Sequence, residues 1–152
     1  MSSDESVILG MLAVFAGFII FFIIIAIVYY ILFALGMSKI ARTQGREDMA
    51  FLAWIPIAQT FLLPLVVEND VHEGMRGKFT LIYAISWVGS IILSMFFAPF
   101  GILSMVVLLY GFYVLATRFS TNALAHTVIG VITLGMSVPI SLFRFRNRQP
   151  IA

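Results

Sequence analysis

Apolar residues fill four long stretches of this chain, and none of the four contains a charged side chain. The stretches are residues 6–38, 49–67, 79–117 and 119–143, and every Asp, Glu, Lys and Arg lies before, between or after them. About 20 apolar residues in a helix cross the roughly 30 Å of hydrocarbon in a bilayer. Because soluble domains do not separate charged from apolar sequence in this way, the pattern predicts a helical membrane protein.

The third stretch is too long for one crossing, since its 39 residues would reach about 58 Å as a continuous helix. The segment Ala98-Pro99-Phe100-Gly101 offers a break. Pro99 disfavours helical geometry in the residue before it, and Gly101 tolerates a positive φ. We therefore expect a helical hairpin with arms at residues 79–97 and 102–117.

The second stretch leaves two paths open. Its 19 residues are enough to cross, but Pro56 and Pro64 interrupt them. The segment either crosses as a kinked helix or re-enters from one face, and the insertion energy of its large apolar residues, about −3 to −6 kcal/mol, favours crossing. The sequence thus predicts an all-α, polytopic transmembrane helix bundle of four to five spans in a single membrane domain, residues 1–152. The spans are expected at about residues 7–37, 49–67, 79–97, 102–117 and 121–143.

The basic residues flank the apolar stretches and bear on orientation. Lys39, Arg42 and Arg46 follow the first stretch, so the positive-inside rule places them in the cytoplasm and the N-terminus outside. Five crossings put Arg76, Lys78 and Arg118 outside, whereas a re-entrant second segment puts Arg144, Arg146 and Arg148 outside. Both arrangements leave six basic residues inside and three outside. We expect five spans in a plasma membrane with the C-terminus cytoplasmic, because an Arg-rich tail is costly to translocate.

Composition narrows the functional classes. The chain is 62% hydrophobic, 11% charged and free of cysteine, whereas about a quarter of an average soluble domain is charged. The lack of cysteine excludes disulfides, thiolate metal sites and Cys nucleophiles. The basic residues do not form the broad basic face that nucleic acid requires. The acidic N-terminus, residues 1–6, lacks the positive region of a signal peptide, so we expect the first stretch to remain as a membrane anchor.

Small residues mark two candidate faces for helix packing. One is Gly10 and Gly17 around Ala13, and the other is Ser86, Gly89, Ser90 and Ser94. Small side chains let helices approach closely, and serine can form hydrogen bonds between helices. We expect these faces to pack against another helix of this chain, a second copy or another membrane protein. For the first group, a chance grouping of small residues is an equal alternative. For the serine group, the alternative is a polar conduit through the membrane.

Two basic groups are candidates for contact with lipid headgroups. Lys39, Arg42 and Arg46 are three and four residues apart, so a continuing helix places them on one face. Arg144 and Arg146 alternate with Phe residues near the C-terminus. Each basic residue near an anionic membrane surface contributes about 1 kcal/mol of attraction. The alternative is that these residues only orient the chain.

One loop combines residue types that could hold a partner or an ion, namely Asp70, His72 and Glu73. Their spacing does not require a metal, because Arg76 and Lys78 can neutralise the carboxylates, and a solvated loop is the plainer interpretation. His126 lies inside the last apolar stretch, where we expect its ring to bond to Asn122 or to a backbone carbonyl.

Nothing in the sequence predicts catalysis. No Asp or Glu lies inside a predicted span, and the chain has neither a Gly-rich phosphate loop nor a G-x-S-x-G motif. We expect no enzyme, no catalytic residue, no metal and no cofactor. The leading interpretation is a non-catalytic integral membrane protein that acts through helix–helix or lipid contacts, such as an accessory, regulatory or immunity-type factor. The alternative is a small oligomeric transporter or lipid-handling unit, because Pro-broken segments mark binding sites in transporters.

Both ends of the chain carry recognisable segments. They are Leu35-Gly36-Met37-Ser38-Lys39-Ile40-Ala41, Gly45 and the A-W-L-A-W-I-P-I-like segment of residues 50–59, then Pro139, Leu142-Phe143, Arg146-Asn147 and Pro150. In these segments the chain resembles a family of uncharacterised small bacterial integral membrane proteins of the Firmicutes type. The middle of the chain matches only in hydropathy. Phe51 stands where the family often has Trp, and Glu47-Asp48 precede the motif. The resemblance implies a membrane location and a helical fold, and it transfers no activity and no catalytic residue.

Overall fold

The computed structural model describes residues 3–151, with side chains described from residue 5 onward. Met1, Ser2 and Ala152, including the start of the acidic N-terminus, lie outside the described residues. Within that range the chain is helical and contains no strand. The α-helices are α1 (Ser3–Thr43), α2 (Pro56–Val67), α3 (Phe79–Ser94), α4 (Leu103–Phe119), α5 (Ala123–Ile132) and α6 (Val138–Phe145). Short 3-10 helices occupy Glu47–Trp54, Glu73–Met75 and Ala98–Ile102.

Helix α1 has two halves with different surroundings. Residues 5–28 are exposed on every side, although almost all of them are apolar. From Tyr29 onward the helix packs against the rest of the protein, with Ala34, Met37 and Ala41 fully buried at spacings of three and four. A helix that is apolar all round is typical of a deep core or a membrane span, and here no core covers the first half.

The second apolar stretch does not form one helix. Gly45 adopts a φ of 73° just after α1, and the 3-10 helix Glu47–Trp54 then runs back along α1, where the Tyr30 hydroxyl donates to the Trp54 carbonyl at 2.6 Å. Ile55 is extended, with φ −103° and ψ 115°, because Pro56 disfavours helical geometry before it. Helix α2 starts at Pro56 and leads back to Glu68, which accepts a hydrogen bond from the Thr80 hydroxyl, and Pro64 is buried inside the helix.

Helices α3 and α4 form a hairpin that bends around Pro99. They lie close to the expected arms, 79–97 and 102–117, although α3 ends at Ser94 and α4 continues to Phe119. The backbone N–H of Ser104 donates to the Ser90 hydroxyl at 2.9 Å and joins the two arms. Gly111 in α4 allows close packing, because a Cβ there would lie 2.9 Å from side-chain atoms of Leu63 and of Phe79.

The last apolar stretch differs from the single span expected at 121–143, because a turn at residues 133–137 separates α5 from α6. The N–H of Gly135 donates to the Gly130 carbonyl at 2.7 Å, and the N–H of Leu134 donates to the Val131 carbonyl at 3.1 Å. This pair of bonds is a Schellman motif, which ends a helix with a left-handed residue. Leu134 takes that position with φ 50°, followed by Gly135 with φ 83°.

Four side-chain contacts place the ends of the later apolar stretches together. Arg118 donates to Gln44 Oε1 at 2.6 Å and forms an ion pair with Asp70. The Thr80 hydroxyl donates to Glu68 at 3.0 Å, and Arg148 donates to the Phe119 carbonyl at 3.3 Å. We call this region the basic end; it consists of residues 39–48, 68–80, 118–122 and 144–151.

All nine lysine and arginine residues lie in the basic end. The second, third and fourth apolar stretches each start there and return there as a hairpin. This arrangement differs from both charge counts made on the sequence, because each count carried three basic residues to the opposite side of the molecule. The reason is that residues 49–67 and 119–143 each bend back within their length.

Within residues 3–151, two helical segments are long and apolar enough to cross a membrane, Glu5–Thr43 in α1 and Ala98–Phe119 at α4. The other apolar helices are shorter, at 12 residues in α2, 16 in α3 and 10 in α5. The buried core lies between the second half of α1 and the hairpins, close to the basic end. Its centre includes the rings of Phe112, Phe119 and Phe145, in which Phe145 stacks on the other two.

Candidate functional site

A cleft of about 330 Å³ opens at the basic end between α1, the end of α6 and Trp54. Its lining is Leu35, Ser38, Lys39, Arg42, Trp54, Arg146 and Asn147. Three cationic side chains from two distant parts of the sequence therefore face one space. We call it the basic cleft.

Helix α1 supplies one wall of the basic cleft. Leu35, Ser38, Lys39 and Arg42 follow at intervals of three, one and three residues, which places them on one side of the helix. Lys39 and Arg42 lie in the last two turns, where cations also interact favourably with the helix dipole. Leu35 lies one turn closer to the apolar half of α1, so the wall changes from apolar to basic along its length.

The other wall depends on a close approach of α6 to α1. A Cβ on Gly36 would lie 2.8 Å from the Leu142 carbonyl carbon and 2.9 Å from the Phe143 nitrogen. Only glycine lets the two backbones come so near without a shift. Since α6 ends at Phe145, this approach brings Arg146 and Asn147 beside α1. The Arg146 guanidinium lies 3.8 Å from the centre of the Phe143 ring, which orients it.

Trp54 completes the cleft on its apolar side. The hydrogen bond from the Tyr30 hydroxyl to the Trp54 carbonyl holds this segment against α1. The Trp54 ring itself is about half exposed. Tryptophan is enriched where one part of a side chain is in hydrocarbon and another part in water.

The cations of the basic cleft have no acidic partner among the residues whose side chains the structure describes. Among the described residues, no carboxylate lies within ion-pairing distance of Lys39, Arg42 or Arg146, whereas Arg118 is paired with Asp70. Like charges held together without counter-charges concentrate a positive potential. The cleft can therefore hold an anion, with donors from Ser38 and Asn147 in addition to the three cations.

Three of the five predicted headgroup residues line the cleft, and two do not. Arg46 turns toward the Met49 sulfur at 3.8 Å, and Arg144 is exposed outside the lining. Ser38, Trp54 and Asn147 belong to the segments that resemble the bacterial family, but none of them was a candidate site residue. Helical spacing from Lys39 and Arg42 would have found Ser38, but no sequence signal places Asn147 beside α1.

The three residues of the candidate ion or partner loop do not converge on one site, because each has different surroundings. Asp70 faces Arg118, the His72 N–H donates to the Tyr110 hydroxyl at 3.3 Å, and Glu73 is exposed. Across residues 3–151, no group of three His, Asp or Glu side chains is arranged to hold a metal ion. Asp70 instead joins the 68–80 loop to α4.

The candidate packing residues fall into two sets. Ser86 and Ser90 are buried in the α3–α4 hairpin, and the Ser86 hydroxyl donates to the Tyr83 carbonyl at 2.8 Å. Ser94 donates to the Ile91 carbonyl at 2.9 Å on its own helix. In contrast, a Cβ on Gly10, Gly17 or Gly89 would meet nothing within 4 Å.

His126 has a different partner from the one expected. Its Nδ1 lies 3.4 Å from the Ser141 hydroxyl, and its ring meets the edge of Phe145 at 5.1 Å. Neither the Asn122 side chain nor a backbone carbonyl takes this role. The histidine therefore joins α5 to α6.

Comparison of the chain with protein-family models, with curated proteins and with solved structures gave no match.

Proposed function

We propose that this protein is a non-catalytic integral membrane protein that is anchored by α1 and enters the bilayer from one face through three helical hairpins. In place of four or five complete crossings, α1 makes one complete crossing. The observation that supports this most directly is the gathering of all nine lysine and arginine residues at the basic end, where the last three apolar stretches begin and end.

The exposed half of α1 fits a complete crossing. Residues 5–28 would extend about 36 Å, slightly more than the thickness of the hydrocarbon. Between Ser6 and Ser38 the helix carries no charge, and the acidic residues Asp4 and Glu5 precede it. Hydrocarbon is the environment that suits a helix that is apolar on every side.

The tip of the α3–α4 hairpin is suited to a lipid environment. Residues 95–102 contain no polar side chain, and Phe96 is 85% exposed. The N–H groups of Met95, Phe96 and Phe97 donate to carbonyls in the last turn of α3, and the N–H of Phe100 donates to the Phe97 carbonyl. Backbone groups in hydrocarbon must be satisfied internally, and these four N–H groups are.

The tip of the α5–α6 hairpin is also suited to a lipid environment. Leu134 is 73% exposed although it holds the left-handed position that glycine usually takes. A leucine there costs about 1 kcal/mol or more relative to glycine. An apolar side chain in a strained, uncovered position is consistent with a tip that lies against acyl chains.

The positive-inside rule then orients the molecule. With nine basic residues at one end, we assign the basic end to the cytoplasmic face of a plasma membrane and the N-terminus to the outside. The C-terminus follows α6 at the basic end and is cytoplasmic.

Cysteine accessibility tests this arrangement, because the chain has no native cysteine. Single variants Asn69→Cys, Asn122→Cys and Gln149→Cys probe three exposed sites of the basic end, and Ser6→Cys and Phe96→Cys probe the start of α1 and a hairpin tip. With a membrane-impermeant maleimide, the first three should react from the cytoplasmic face only and Ser6→Cys from the outside only. Phe96→Cys should react from neither face.

The two sequence-based topologies predict different labelling. Five crossings place Asn69→Cys and Asn122→Cys outside and Gln149→Cys inside. A re-entrant second segment alone places Gln149→Cys outside and the other two inside. We call the proposed topology, with the whole basic end on one face of the membrane, the one-sided arrangement. Labelling of Asn122→Cys and Gln149→Cys from opposite faces would overturn it.

For the role of the protein, we propose an accessory or regulatory factor that contacts another membrane protein through α1. Gly10 and Gly17 leave one side of the exposed half open to close approach. A photoreactive residue at Val14, on the glycine side, should form adducts with protein in native membranes. The same residue at Ile19, on the opposite side at 100° per residue, should form adducts with lipid only. Equal adducts at both positions would contradict a role based on this face.

Lipid handling is the second candidate, and the basic cleft is the observation that favours it. A conduit along the serine face is less favoured, because Ser86 and Ser90 are buried and bonded within the chain. Reconstitution in liposomes with labelled lipids tests this candidate. An unchanged rate of lipid movement between leaflets would dismiss it.

A further inference from the structure

We infer that the basic cleft is a specific site for the phosphate group of an acidic membrane phospholipid. This inference rests on the proposed membrane function and adds the ligand to it. General attraction of basic residues to an anionic surface requires only charge. A site requires that particular side chains surround the ligand, which is what the convergence of α1 and α6 provides.

The donors suit a phosphate. Lys39, Arg42 and Arg146 supply positive charge, and no described carboxylate competes for them. Guanidinium groups bind phosphate oxygens in pairs, and charge-assisted hydrogen bonds of this kind are stronger than neutral ones. The neutral donors Ser38 and Asn147 add oxygen contacts without changing the charge balance.

The shape of the cleft suits a lipid more than a soluble anion. Its volume, about 330 Å³, is in the range of small-ligand sites. Leu35 and Trp54 lie on the side toward the apolar half of α1, and the cations lie on the side toward the end of the helix. A phospholipid can place its phosphate among the cations and its acyl chains along the exposed residues of α1.

The site is built only when α6 is in place. Arg146 comes from the residues after α6, and α6 reaches α1 because of Gly36. Arg144 is two residues away, carries the same charge and lies outside the lining. Replacement of either arginine by glutamine changes the net charge equally. A specific site predicts that only Arg146→Gln weakens lipid binding, whereas a merely charged surface predicts equal effects of the two variants.

Trp54 offers a direct readout. The chain has two tryptophans, Trp54 in the cleft and Trp87 outside it, so Trp87→Phe leaves Trp54 as the only indole of the protein. The variant is reconstituted in vesicles of zwitterionic lipid that contain a small fraction of either brominated phosphatidylglycerol or brominated phosphatidylcholine. Bromine quenches indole fluorescence at short range, so quenching reports which lipid occupies the cleft.

We expect brominated phosphatidylglycerol to quench Trp54 at lower fractions than brominated phosphatidylcholine. In the Trp87→Phe background, Arg146→Gln should raise the half-quenching fraction of the acidic lipid about fivefold to tenfold. Arg144→Gln should change it less than twofold. Millimolar inorganic phosphate in the buffer should not displace the lipid.

Three results would overturn the site: equal quenching by the two lipids, equal effects of Arg146→Gln and Arg144→Gln, or displacement by inorganic phosphate. Far-UV circular dichroism and elution volume in detergent show whether each variant is folded, and Lys39→Gln provides a second cleft variant if Arg146→Gln is not. Cysteine labelling of the same variants separates this inference from the proposed function. If the labelling follows the one-sided pattern but the two arginine variants are equivalent, only the lipid site fails.

Discussion

The packing of α6 on α1 depends on one glycine, and replacing it tests the fold and the basic cleft together. In Gly36→Ala, the new methyl carbon would lie 2.8 Å from the Leu142 carbonyl carbon and 2.9 Å from the Phe143 nitrogen. Ordinary contacts of a Cβ begin at 3.4 Å. Both nearby atoms belong to the backbone, so α6 has to move by about half an ångström or more as a unit.

Two opposing effects determine how much Gly36→Ala changes the free energy of unfolding. Alanine inside a helix is more favourable than glycine by about 0.5–1 kcal/mol, and overpacking a filled site costs about 1–3 kcal/mol. We expect the second effect to win, so that Gly36→Ala lowers the free energy of unfolding by about 1–2 kcal/mol. Gly17→Ala is the matched control, because it is the same change in the same helix with nothing within 4 Å. It should be neutral or slightly stabilising.

Unfolding in mixed micelles, with denaturing detergent as the variable and circular dichroism as the signal, measures the difference between the variants. Gly111→Ala provides an intermediate case, because its clashes are with side-chain atoms of Leu63 and Phe79, which can shift more easily than backbone atoms. The expected order of destabilisation is Gly36, then Gly111, then Gly17. If Gly36→Ala is as stable as Gly17→Ala, α6 does not pack on α1 as described, and the basic cleft loses one wall.

Three further predictions concern single contacts, and all use the same unfolding assay. Ser90→Ala should lower the free energy of unfolding by about 1–3 kcal/mol, because it removes the acceptor of a hydrogen bond between α3 and α4. Ser94→Ala breaks a hydrogen bond only within α3, so it should lower the free energy of unfolding by less. Leu134→Gly should stabilise the protein in micelles by about 1 kcal/mol, since glycine takes a left-handed φ without strain; a destabilisation would show that the leucine side chain contributes more than its backbone costs. In a double-mutant cycle of Asp70→Asn and Arg118→Gln, the coupling energy should be about 1 kcal/mol or less. The arginine side chain is 40% exposed, so solvent screens the ion pair. Additive effects of the two single variants would mean that the ion pair contributes nothing to stability.

The sequence predicted the helical class and the bend at Pro99 from local rules. Charge-free length and the effect of proline on its neighbour act on consecutive residues, so they can be evaluated without knowing the fold. The same holds for Lys39 and Arg42, whose spacing alone places them on one face. Lys39 and Arg42 were candidates for this reason, and Arg146 was a candidate because it alternates with Phe residues near the C-terminus.

The remaining features depend on how distant segments meet. A helix pair with arms of 10 and 8 residues has the same overall hydropathy as one span, so residues 121–143 predicted a single helix. A local signal was nevertheless present, since Gly135 and Pro139 form the stop pattern of a helix end. No comparable signal indicates that Asn147 reaches α1, because that contact arises from Gly36 and the path of α6.

The equal charge counts from the sequence have a physical explanation in this geometry. The basic residues occur in four groups, at residues 39–46, 76–78, 118 and 144–148, and one apolar stretch separates residue 118 from the last group. Any stretch that crosses once moves the next group to the opposite face, so each arrangement in which a later stretch crosses once leaves some basic residues outside. Only hairpins in all three later stretches keep nine basic residues on one face, which is the distribution that the positive-inside rule most favours. The charge pattern therefore supports the one-sided arrangement independently of the contacts. The support requires that each of the three later stretches forms a hairpin. A hairpin in the second stretch with a single crossing in the last one does not give this distribution.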